Sequence, residues 1–274
     1  MSSPLISIGL PVFNGSAMLE DSLEGLSQQS FRDFSVVISD NASTDRTPEI
    51  ITRFCRNDPR FTVVRQQCNI GAIANFRNVL QAATAPFFLW RSHDDLFNPD
   101  YLARLAARLE RTPDAVLAAP HVETLRIATG KRRPRPVARL QHSQPRPRTI
   151  LRHSQAGWIY GLWRTGHIRE AFDWATRAIT PHIWAWDHLT LFPAILSGQV
   201  VFENNARLVL RLNNATPKEH AADEASCRRD LVTRYRNACF DAIDRQGLTG
   251  FDRLAMRSTV LRHINRRVAR TFLF

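Results

Sequence analysis

Short apolar runs alternate with amphipathic segments along the first 120 residues. Each run is four to six residues long, which is typical of a buried strand, and the segments between them carry apolar residues at helical spacing. The predicted strands cover residues 5–10, 34–39, 61–65, 85–90 and 116–119, and the predicted helices cover residues 16–29, from about 45, 72–82 and 99–110. Strands that alternate with helices predict an α/β protein with a doubly wound, mostly parallel sheet covered by helices on both faces.

The pattern changes after residue 130. Residues 131–148 are rich in proline and arginine and have no hydrophobic period, so we expect a long mobile loop. Beyond this segment, residues 158–164 and 206–212 look like strands, residues 187–196 look like a helix, and the chain from about residue 219 reads as two helices broken near 247–250. The sequence therefore predicts an α/β unit over residues 1–213 and a C-terminal helical extension over residues 214–274.

Polar side chains follow the predicted strands where a doubly wound sheet binds its ligands, at the carboxyl ends. The first turn, GLPVFNG, has neither a G-x-G-x-x-G motif nor a P-loop motif, which argues against a dinucleotide oxidoreductase and a P-loop phosphotransferase. Asp40 ends the second strand and faces the expected crevice. Asp45 is near the start of the next helix, where an N-cap is the other reading.

Two adjacent carboxylates, Asp94 and Asp95, follow the fourth strand. Neighbouring carboxylates repel each other, so such a pair is commonly held by a cation. Carboxylates are hard oxygen ligands, suited to magnesium or manganese bridging a diphosphate. The other reading of this dipeptide is a solvated turn before a helix capped by Asn98.

Four segments in this order resemble family 2 glycosyltransferases of the GT-A fold: PLISIGLPVFNG, VVISDNASTDRT, NIGAIANFRN and FFLWRSHDDLFNPDYL. The resemblance is strong over residues 4–119 and weaker to about residue 213. It implies a donor half over residues 1–119, an acceptor half over residues 120–213, a nucleoside-diphosphate sugar as donor and a divalent metal, Mn²⁺ or Mg²⁺. The acceptor implied is a glycan or a lipid-linked molecule.

The resemblance also implies roles for individual residues. Asp40 would bind the base, the turn around Pro11 would lie against the nucleoside, and the metal motif would hold the diphosphate. This motif most often reads Asp-Ala-Asp-Asp in the family, and here it reads Ser92-His93-Asp94-Asp95, which leaves Asp94 and Asp95 as metal ligands. The residues expected to contact the donor are Pro11, Phe13, Asn14, Asp40, Asn69, Gly71 and Asp94.

A candidate catalytic base lies in the second half. The family usually has a Glu-Asp pair at the start of a helix that faces the donor, and this chain has Trp186-Asp187. An acceptor hydroxyl loses its proton as the glycosidic bond forms, so a positioned carboxylate such as Asp187 can take it. The other reading of Asp187 is a helix N-cap. The chain lacks the Gln-x-x-Arg-Trp motif of processive members, so we expect one transfer per encounter.

The metal motif and the Glu-Asp pair each lack one acidic residue in this chain, so a second function stays open. Ser92 and Trp186 stand where the family usually has acidic residues. A catalytically weak nucleotide-sugar-binding or scaffold relative of the same fold would also fit this sequence.

The net charge of +12 is confined to two segments. Residues 131–148 contribute +7 and residues 251–274 contribute +5, so the remainder is neutral, which argues against a nucleic-acid-binding protein. Leu261, Ile264, Val268 and Phe272 share one helical face, which can rest on an anionic membrane surface or pack on the protein. The N-terminus has no basic region before an apolar run, so we expect a cytoplasmic protein. If the C-terminal face meets lipid rather than protein, the contact would be peripheral at the inner face of the membrane.

Overall fold

The computed structural model describes residues 3–135, 140, 145–212 and 225–268. The strands in these residues are β1 (Ile6–Val12), β2 (Phe34–Asp40), β3 (Phe61–Arg65), β4 (Phe87–Trp90), β5 (Leu96–Phe97), β6 (Leu117–Arg126), β7 (Lys131–Arg135), β8 (Leu162–Arg164) and β9 (Val200–Leu212). The helices are α1 (Leu19–Ser27), α2 (Thr47–Asn57), α3 (Ala72–Gln81), α4 (Tyr101–Glu110), α5 (Pro147–His153), α6 (Thr165–Ile179), α7 (Trp186–Leu196), α8 (Ala225–Arg245) and α9 (Gly250–His263).

All these strands belong to one sheet, in the order β3-β2-β1-β4-β8-β6-β9-β5, with β7 paired to β6. Strands β1 to β4 run parallel to their neighbours among themselves, and β6 runs parallel to β9. Short β8 is antiparallel to both β4 and β6. The predicted mostly parallel α/β fold is confirmed, and the carboxyl ends of β1, β2 and β4 lie at one edge, where the predicted site residues follow.

The sequence explains why β1 occupies the middle of the sheet. All seven of its residues are buried, because helices cover both faces of the sheet at this strand. Its sequence is therefore a nearly continuous apolar run rather than an alternation of apolar and polar residues. Gly9 lies where α3 crosses closely: a Cβ at this position would come within 2.6 Å of the Val79 side chain. This close approach sets α3 against the centre of the sheet.

The expected loop over residues 131–148 is wrong where the structure describes it. Residues 131–135 form β7, which pairs antiparallel with β6 from Val122 to Arg126, and Pro147–His153 is helical. The reason is that β6 continues to Arg126 and offers backbone partners beyond the predicted end at residue 119. Arginine and proline are tolerated on such a strand because it lies at the margin of the sheet. Residues 136–139 and 141–144 of the expected loop, with Arg139 among them, lie outside the described residues.

Further elements differ from the prediction: β5 has no predicted counterpart, and β9 begins at Val200 rather than at residue 206. Only Leu162–Arg164 of the expected strand over 158–164 is extended, and Ala156–Tyr160 forms a 3₁₀ helix. Helix α6 has no counterpart among the predicted elements. Its buried residues Ile168, Phe172, Ala175 and Ile179 recur at helical spacing and pack into the core.

The C-terminal helices pack against the α/β part of the chain. Leu231 and Ile243 of α8 are buried, as are Val260, Ile264 and Val268 in and after α9. Packing is therefore the correct reading for Ile264 and Val268, whereas Leu261 of the same predicted face is 45% exposed. Phe272 lies outside the described residues. None of the helices described here combines the length and the apolar character that crossing a bilayer requires.

Candidate active site

The first two turns at the carboxyl edge of the sheet are tied together by hydrogen bonds. Asn14, with φ at 48°, donates its main-chain N–H to Ser43 Oγ at 2.9 Å, and its side-chain oxygen accepts the Thr44 N–H at 2.9 Å. Gly15 N–H donates to Thr47 Oγ1, also at 2.9 Å. These bonds fix the turn after β1 against the turn after β2, so Phe13 and Asn14 remain exposed beside Asp40. Pro11 lies inside β1, where it is buried and paired with Ser39.

Asp45 joins the same two turns and is not an N-cap. Its carboxylate accepts the N–H groups of Ser16 and Thr47, both at 3.0 Å, while α2 begins at Thr47 after Arg46. Burial raises the pKa of Asp45, but the hydrogen bonds from Thr47 and Ser16 outweigh it and leave the pKa at about 2. Asp45 is therefore a fixed anion that holds the turns together.

Asp40 lies buried at the end of β2 and has one oxygen available. Oδ1 accepts the Ser43 N–H at 3.0 Å. Oδ2 accepts no hydrogen bond within the described part of the chain, and the Nε of half-exposed Arg65 is 3.6 Å from it. A buried carboxylate oxygen without a hydrogen-bond donor calls for a partner, which Arg65 or a ligand N–H can supply.

The Asn69–Gly71 segment lies next to this carboxylate because Asn41 bonds to it. Asn41 Nδ2 donates to Asn69 Oδ1 at 2.8 Å, and Asn41 Oδ1 accepts the Ile70 N–H at 2.9 Å. Gly71 has φ at 83°, a conformation that favours glycine, and a Cβ there would meet nothing within 4 Å. The structure thus places Asn69 and Gly71 beside Asp40, with open space in front of α3.

Asp94 and Asp95 have different surroundings. Asp94 is half-buried and accepts a hydrogen bond from Ser92 Oγ. Asp95 is buried, and its Oδ1 accepts the Arg211 N–H at 3.0 Å. Burial, and then Asp94, raise the pKa of Asp95 to about 7, against the opposing effects of Arg211 and Arg91. The accessible carboxylate of the pair is therefore Asp94.

Arg91 supports this turn from inside the protein. Its fully buried guanidinium donates to the Asp95 carbonyl at 2.7 Å and to Ser22 Oγ at 2.9 Å, and it lies 3.9 Å from the Phe97 ring centroid. Burial lowers the pKa of Arg91 to about 10, so the group stays charged at neutral pH. A buried cation with these contacts fixes the backbone that carries both carboxylates.

His93 packs against the first turn. A Cβ on Gly15 would come within 2.6 Å of the His93 ring, so the ring needs glycine at that position. Burial lowers the pKa of His93, which keeps the imidazole neutral. The ring therefore packs the turn that carries Asp94 and Asp95, called the carboxylate turn, against the turn after β1.

Tyr160 is a site residue that the sequence did not reveal. Burial first, and then Asp95, Asp94 and Asp187, raise the pKa of Tyr160, and the neighbouring Ser92 side chain partly opposes this shift. The Tyr160 carbonyl accepts the Tyr101 hydroxyl at 2.9 Å, which anchors the 3₁₀ helix. Tyr160 is therefore close enough to Asp94, Asp95 and Asp187 for all three to affect its pKa.

Asp187 lies in the first turn of α7. The helix begins at Trp186 after Ala185, so the N-cap reading is wrong. Asp187 Oδ1 accepts the His188 N–H at 2.7 Å, and burial raises the pKa of Asp187 despite this bond. A raised pKa makes the carboxylate a better proton acceptor.

Trp186 has a structural place beside this acid. Its ring packs at 4.9 Å from Phe76, 5.4 Å from Phe172 and 5.8 Å from Trp90, measured between centroids. These contacts join α3, β4, α6 and α7. The ring that stands at a usually acidic position thus fixes the start of α7 in the core.

The C-terminal helices reach this region from behind. Tyr235 of α8 is buried near Asp187, and the ring of His263 of α9 lies 5.1 Å from His188 and 6.3 Å from Tyr235. The Tyr235 hydroxyl and His263 Nε2 are buried without a hydrogen-bond partner among the described residues. Helices α8 and α9 therefore form part of the support for α7.

The residues present fit a divalent metal that is held mainly by the diphosphate of a donor and by one protein carboxylate. No three His, Cys, Asp or Glu side chains within the described ranges converge to hold an ion alone. Magnesium and manganese sites that involve phosphates commonly use only one or two carboxylates. Asp94, accessible and oriented by Ser92, supplies such a ligand.

A cationic recess lies at the outer end of β6. Its volume is about 160 Å³, and the residues that line it are Thr124, Arg126, Lys131, Arg133 and Leu212. None of these lining residues is acidic. Arg132, on the opposite face of β7, lies 3.6 Å from Glu123 instead. The recess is suited to an anionic group.

Sequence comparison assigns the family. A family profile described as glycosyl transferase family 2 matches residues 7–173, more than half of the chain. The chain belongs to glycosyl transferase family 2. The predicted resemblance is therefore confirmed.

Curated relatives match only in part. The chain is 28% identical over 116 residues to the uncharacterized protein y4gI of Sinorhizobium fredii, covering 42% of this chain and 13% of that protein. It is 32% identical over 108 residues to a PGL/p-HBAD biosynthesis glycosyltransferase of Mycobacterium bovis, covering 39% of this chain and 42% of that protein. The match thus spans less than half the length of either relative.

Solved structures of similar fold cover nearly the whole chain. Residues 1–349 of Staphylococcus aureus TarS, in complex with UDP-GlcNAc, superpose with a TM-score of 0.73 at 18% identity, covering 97% of this chain and 74% of that one. The mannosyltransferase PcManGT of Pyrobaculum calidifontis, in complex with GDP-Man and Mn²⁺, gives 0.55 at 17% identity, covering 98% and 76%. At these identities the likeness establishes the GT-A fold.

Proposed function

We propose that this family 2 chain transfers a sugar from a nucleoside-diphosphate sugar to an acceptor hydroxyl. The observation that carries the proposal is the placement of Asp40 at the end of β2 and of half-buried Asp94 after β4, since these strands flank β1 in one parallel sheet. Asp187 of the second half is close enough to Tyr160 to raise its pKa together with Asp94. Metal-mediated diphosphate binding uses one or two carboxylates, and proton abstraction from an acceptor hydroxyl uses another. The family membership and the GT-A fold support the same reaction.

Donor binding follows from the two turns and the carboxylates. Asp40 would accept an N–H of the base through Oδ2, which has no hydrogen bond within the described residues. Phe13 and Asn14, both exposed, would lie against the nucleoside. Asn69 and Gly71 would form the loop on the donor side. Asp94 would hold Mn²⁺ or Mg²⁺ at the diphosphate, with Asp95 behind it bonded to Arg211. Such a metal neutralises charge on the departing diphosphate. The structure of PcManGT in complex with GDP-Man and Mn²⁺ supports this choice of metal.

Transfer would proceed by direct displacement with inversion. The acceptor oxygen attacks the anomeric carbon while the bond from that carbon to the diphosphate oxygen breaks. Asp187 takes the proton that the acceptor hydroxyl loses, and the nucleoside diphosphate leaves as the anion. The raised pKa of Asp187 suits this role, because a base works best when its pKa approaches the working pH.

The acceptor would be a glycan or a lipid-linked molecule that carries an anionic group. The cationic recess formed by Arg126, Lys131 and Arg133 supports this choice. The double variant Arg126→Gln/Arg133→Gln should raise KM for an anionic acceptor and leave donor affinity unchanged. The matched control is Arg132→Gln, on the other face of β7. If the double variant and the control variant had the same KM for the acceptor, the recess would have no part in acceptor binding.

A screen of UDP- and GDP-sugars tests the function. Thermal stabilisation and donor hydrolysis are measured with Mn²⁺ and with a chelator. We expect one donor class to raise the melting temperature and to be hydrolysed only with metal. Stabilisation without any turnover would favour the scaffold relative that the Ser92 and Trp186 replacements suggest. No stabilisation by any donor would contradict donor binding itself.

A further inference from the structure

The most exposed large apolar side chains of the described chain lie on α9. Phe251 is 77% exposed and Leu254 is 67% exposed, and Leu261 of the same helix is 45% exposed. At about 100° per residue, these three positions fall within about 80° of one another around the helix. They form one apolar stripe, called here the α9 stripe, that faces away from the protein.

The opposite face of α9 is held firmly. Met256, Val260 and Ile264 are buried against the body of the protein. Arg253 and Arg257 both bind Asp244 of α8, at 2.8 and 2.6 Å. The helix cannot turn its stripe inward without breaking these contacts, so its outward orientation is fixed.

Charge beside the stripe favours one kind of partner. Arg262 and Arg266 are exposed on the same side as the stripe, and Asp252 is the only acid between residues 250 and 268. A helix with exposed Phe and Leu next to arginines has the composition that binds anionic bilayer interfaces. A second copy of this chain would bring the same excess of positive charge, +12 overall, towards these arginines.

We propose that the α9 stripe docks on an anionic lipid surface, with Phe251 and Leu254 entering the interface and Arg262 and Arg266 meeting lipid phosphates. The stripe shares Leu261 with the face expected from sequence but excludes Ile264 and Val268, which are buried. The docking surface needs no part of the proposed catalytic site. Its test is therefore independent of the proposed reaction.

Vesicle sedimentation of the full chain tests the proposal. Phosphatidylglycerol and phosphatidylcholine vesicles are compared with wild type and with Phe251→Ser/Leu254→Ser. The matched control is Val63→Ser/Val64→Ser, which removes two apolar side chains, 45% and 49% exposed, from β3. We expect wild type and the control to bind phosphatidylglycerol vesicles, with at least about tenfold weaker binding for the α9 variant and for wild type at high salt. Binding by the α9 variant equal to that of wild type would overturn the proposal.

Two further measurements distinguish lipid insertion from misfolding and from self-association. Phe251→Trp should show a blue shift of tryptophan emission with phosphatidylglycerol vesicles only, and an unchanged spectrum would overturn insertion even if the serine variant misfolds. Sedimentation velocity without lipid should give a monomer. A dimer that Phe251→Ser/Leu254→Ser dissociates would assign the stripe to a second copy and overturn the lipid proposal.

Discussion

The main-chain N–H of Arg211 donates to the Asp95 carboxylate at 3.0 Å, across 116 positions of sequence. The side chain of the same arginine donates to the Asp94 carbonyl, to Met18 O at 3.1 Å and to Asp21 at 2.6 Å. One residue of β9 thus ties the carboxylate turn to the start of α1. Because Asp95 is engaged in this tie, the two neighbouring acids should contribute differently to donor binding.

The first prediction compares these two acids. Asp94→Asn should reduce metal-dependent binding of a nucleoside diphosphate more than Asp95→Asn does, because Asp94 is accessible while Asp95 is buried. Asparagine at 95 can still accept the Arg211 N–H. Titration calorimetry with UDP or GDP, with and without Mn²⁺, measures the difference. Equal losses of affinity would show that Asp95 contributes to metal binding as much as Asp94. Undiminished binding in the double variant would show that neither acid holds the metal.

The second prediction concerns the base-binding acid. Asp40→Asn keeps an acceptor for the Ser43 N–H but removes the charge of the available oxygen. Loss of one charged hydrogen bond should weaken nucleotide binding by about tenfold or more and leave the melting temperature nearly unchanged. Asp45→Asn is the matched control, and it should lower stability with little effect on nucleotide affinity. The reverse pattern would show that Asp40 serves the fold.

The third prediction tests Tyr160. Tyr160→Phe removes the hydroxyl that lies beside the Ser92 side chain, whose own hydroxyl orients Asp94. Loss of such an orienting group should lower metal-dependent diphosphate affinity by about tenfold. Ser92→Ala should have a similar effect, and the double variant should lose less than the two single losses added together. Full additivity in calorimetry would show that the two hydroxyls act separately.

Strand positions can be predicted well where burial alone determines them. The runs that form β1 and β4 are apolar because both faces of the sheet are covered, so their composition reveals them. β7 has no such mark, since its residues Lys131–Arg135 become extended only because β6 lies beside them. Pairing with a distant partner leaves no period in the paired segment itself.

Helix α6 carries a signal that could reveal it from sequence. Ile168, Phe172, Ala175 and Ile179 are spaced four, three and four apart, which is a helical period. Tyr160 carries no such signal. It lies between Trp158 and Trp163 in a segment that reads as a buried strand, and its role becomes visible only when the fold brings it beside Ser92.

The fourth prediction concerns pH. Burial, then His188 and Arg267, lower the pKa of His263 to about 3, below the ordinary value of 6.5. The unfolded chain therefore binds a proton below pH 6.5 that the folded chain does not, and stability falls as the pH falls from 6.5 towards 3. The groups that face His263 are His188, Tyr235, Ser154, Arg266 and Arg267.

Between about pH 7 and 5 this one histidine should cost about 2 kcal/mol of the free energy of unfolding. His263→Gln should remove that part of the loss, while His153→Gln, at an exposed position, should not. Urea unfolding at both pH values gives the difference. An equal loss in wild type and His263→Gln would show that His263 is protonated in the fold.

The measurement that tests the central claim most directly is single-turnover transfer by Asp187→Asn. Asparagine keeps the size of the side chain and its bond to the His188 N–H, so the change removes basicity alone. Asp173→Asn, which alters a half-exposed acid 3.5 Å from Arg77, is the matched control and should transfer at the wild-type rate. We expect Asp187→Asn to lower the rate by about a hundredfold or more with donor affinity nearly unchanged. Transfer by Asp187→Asn at the wild-type rate would contradict the account.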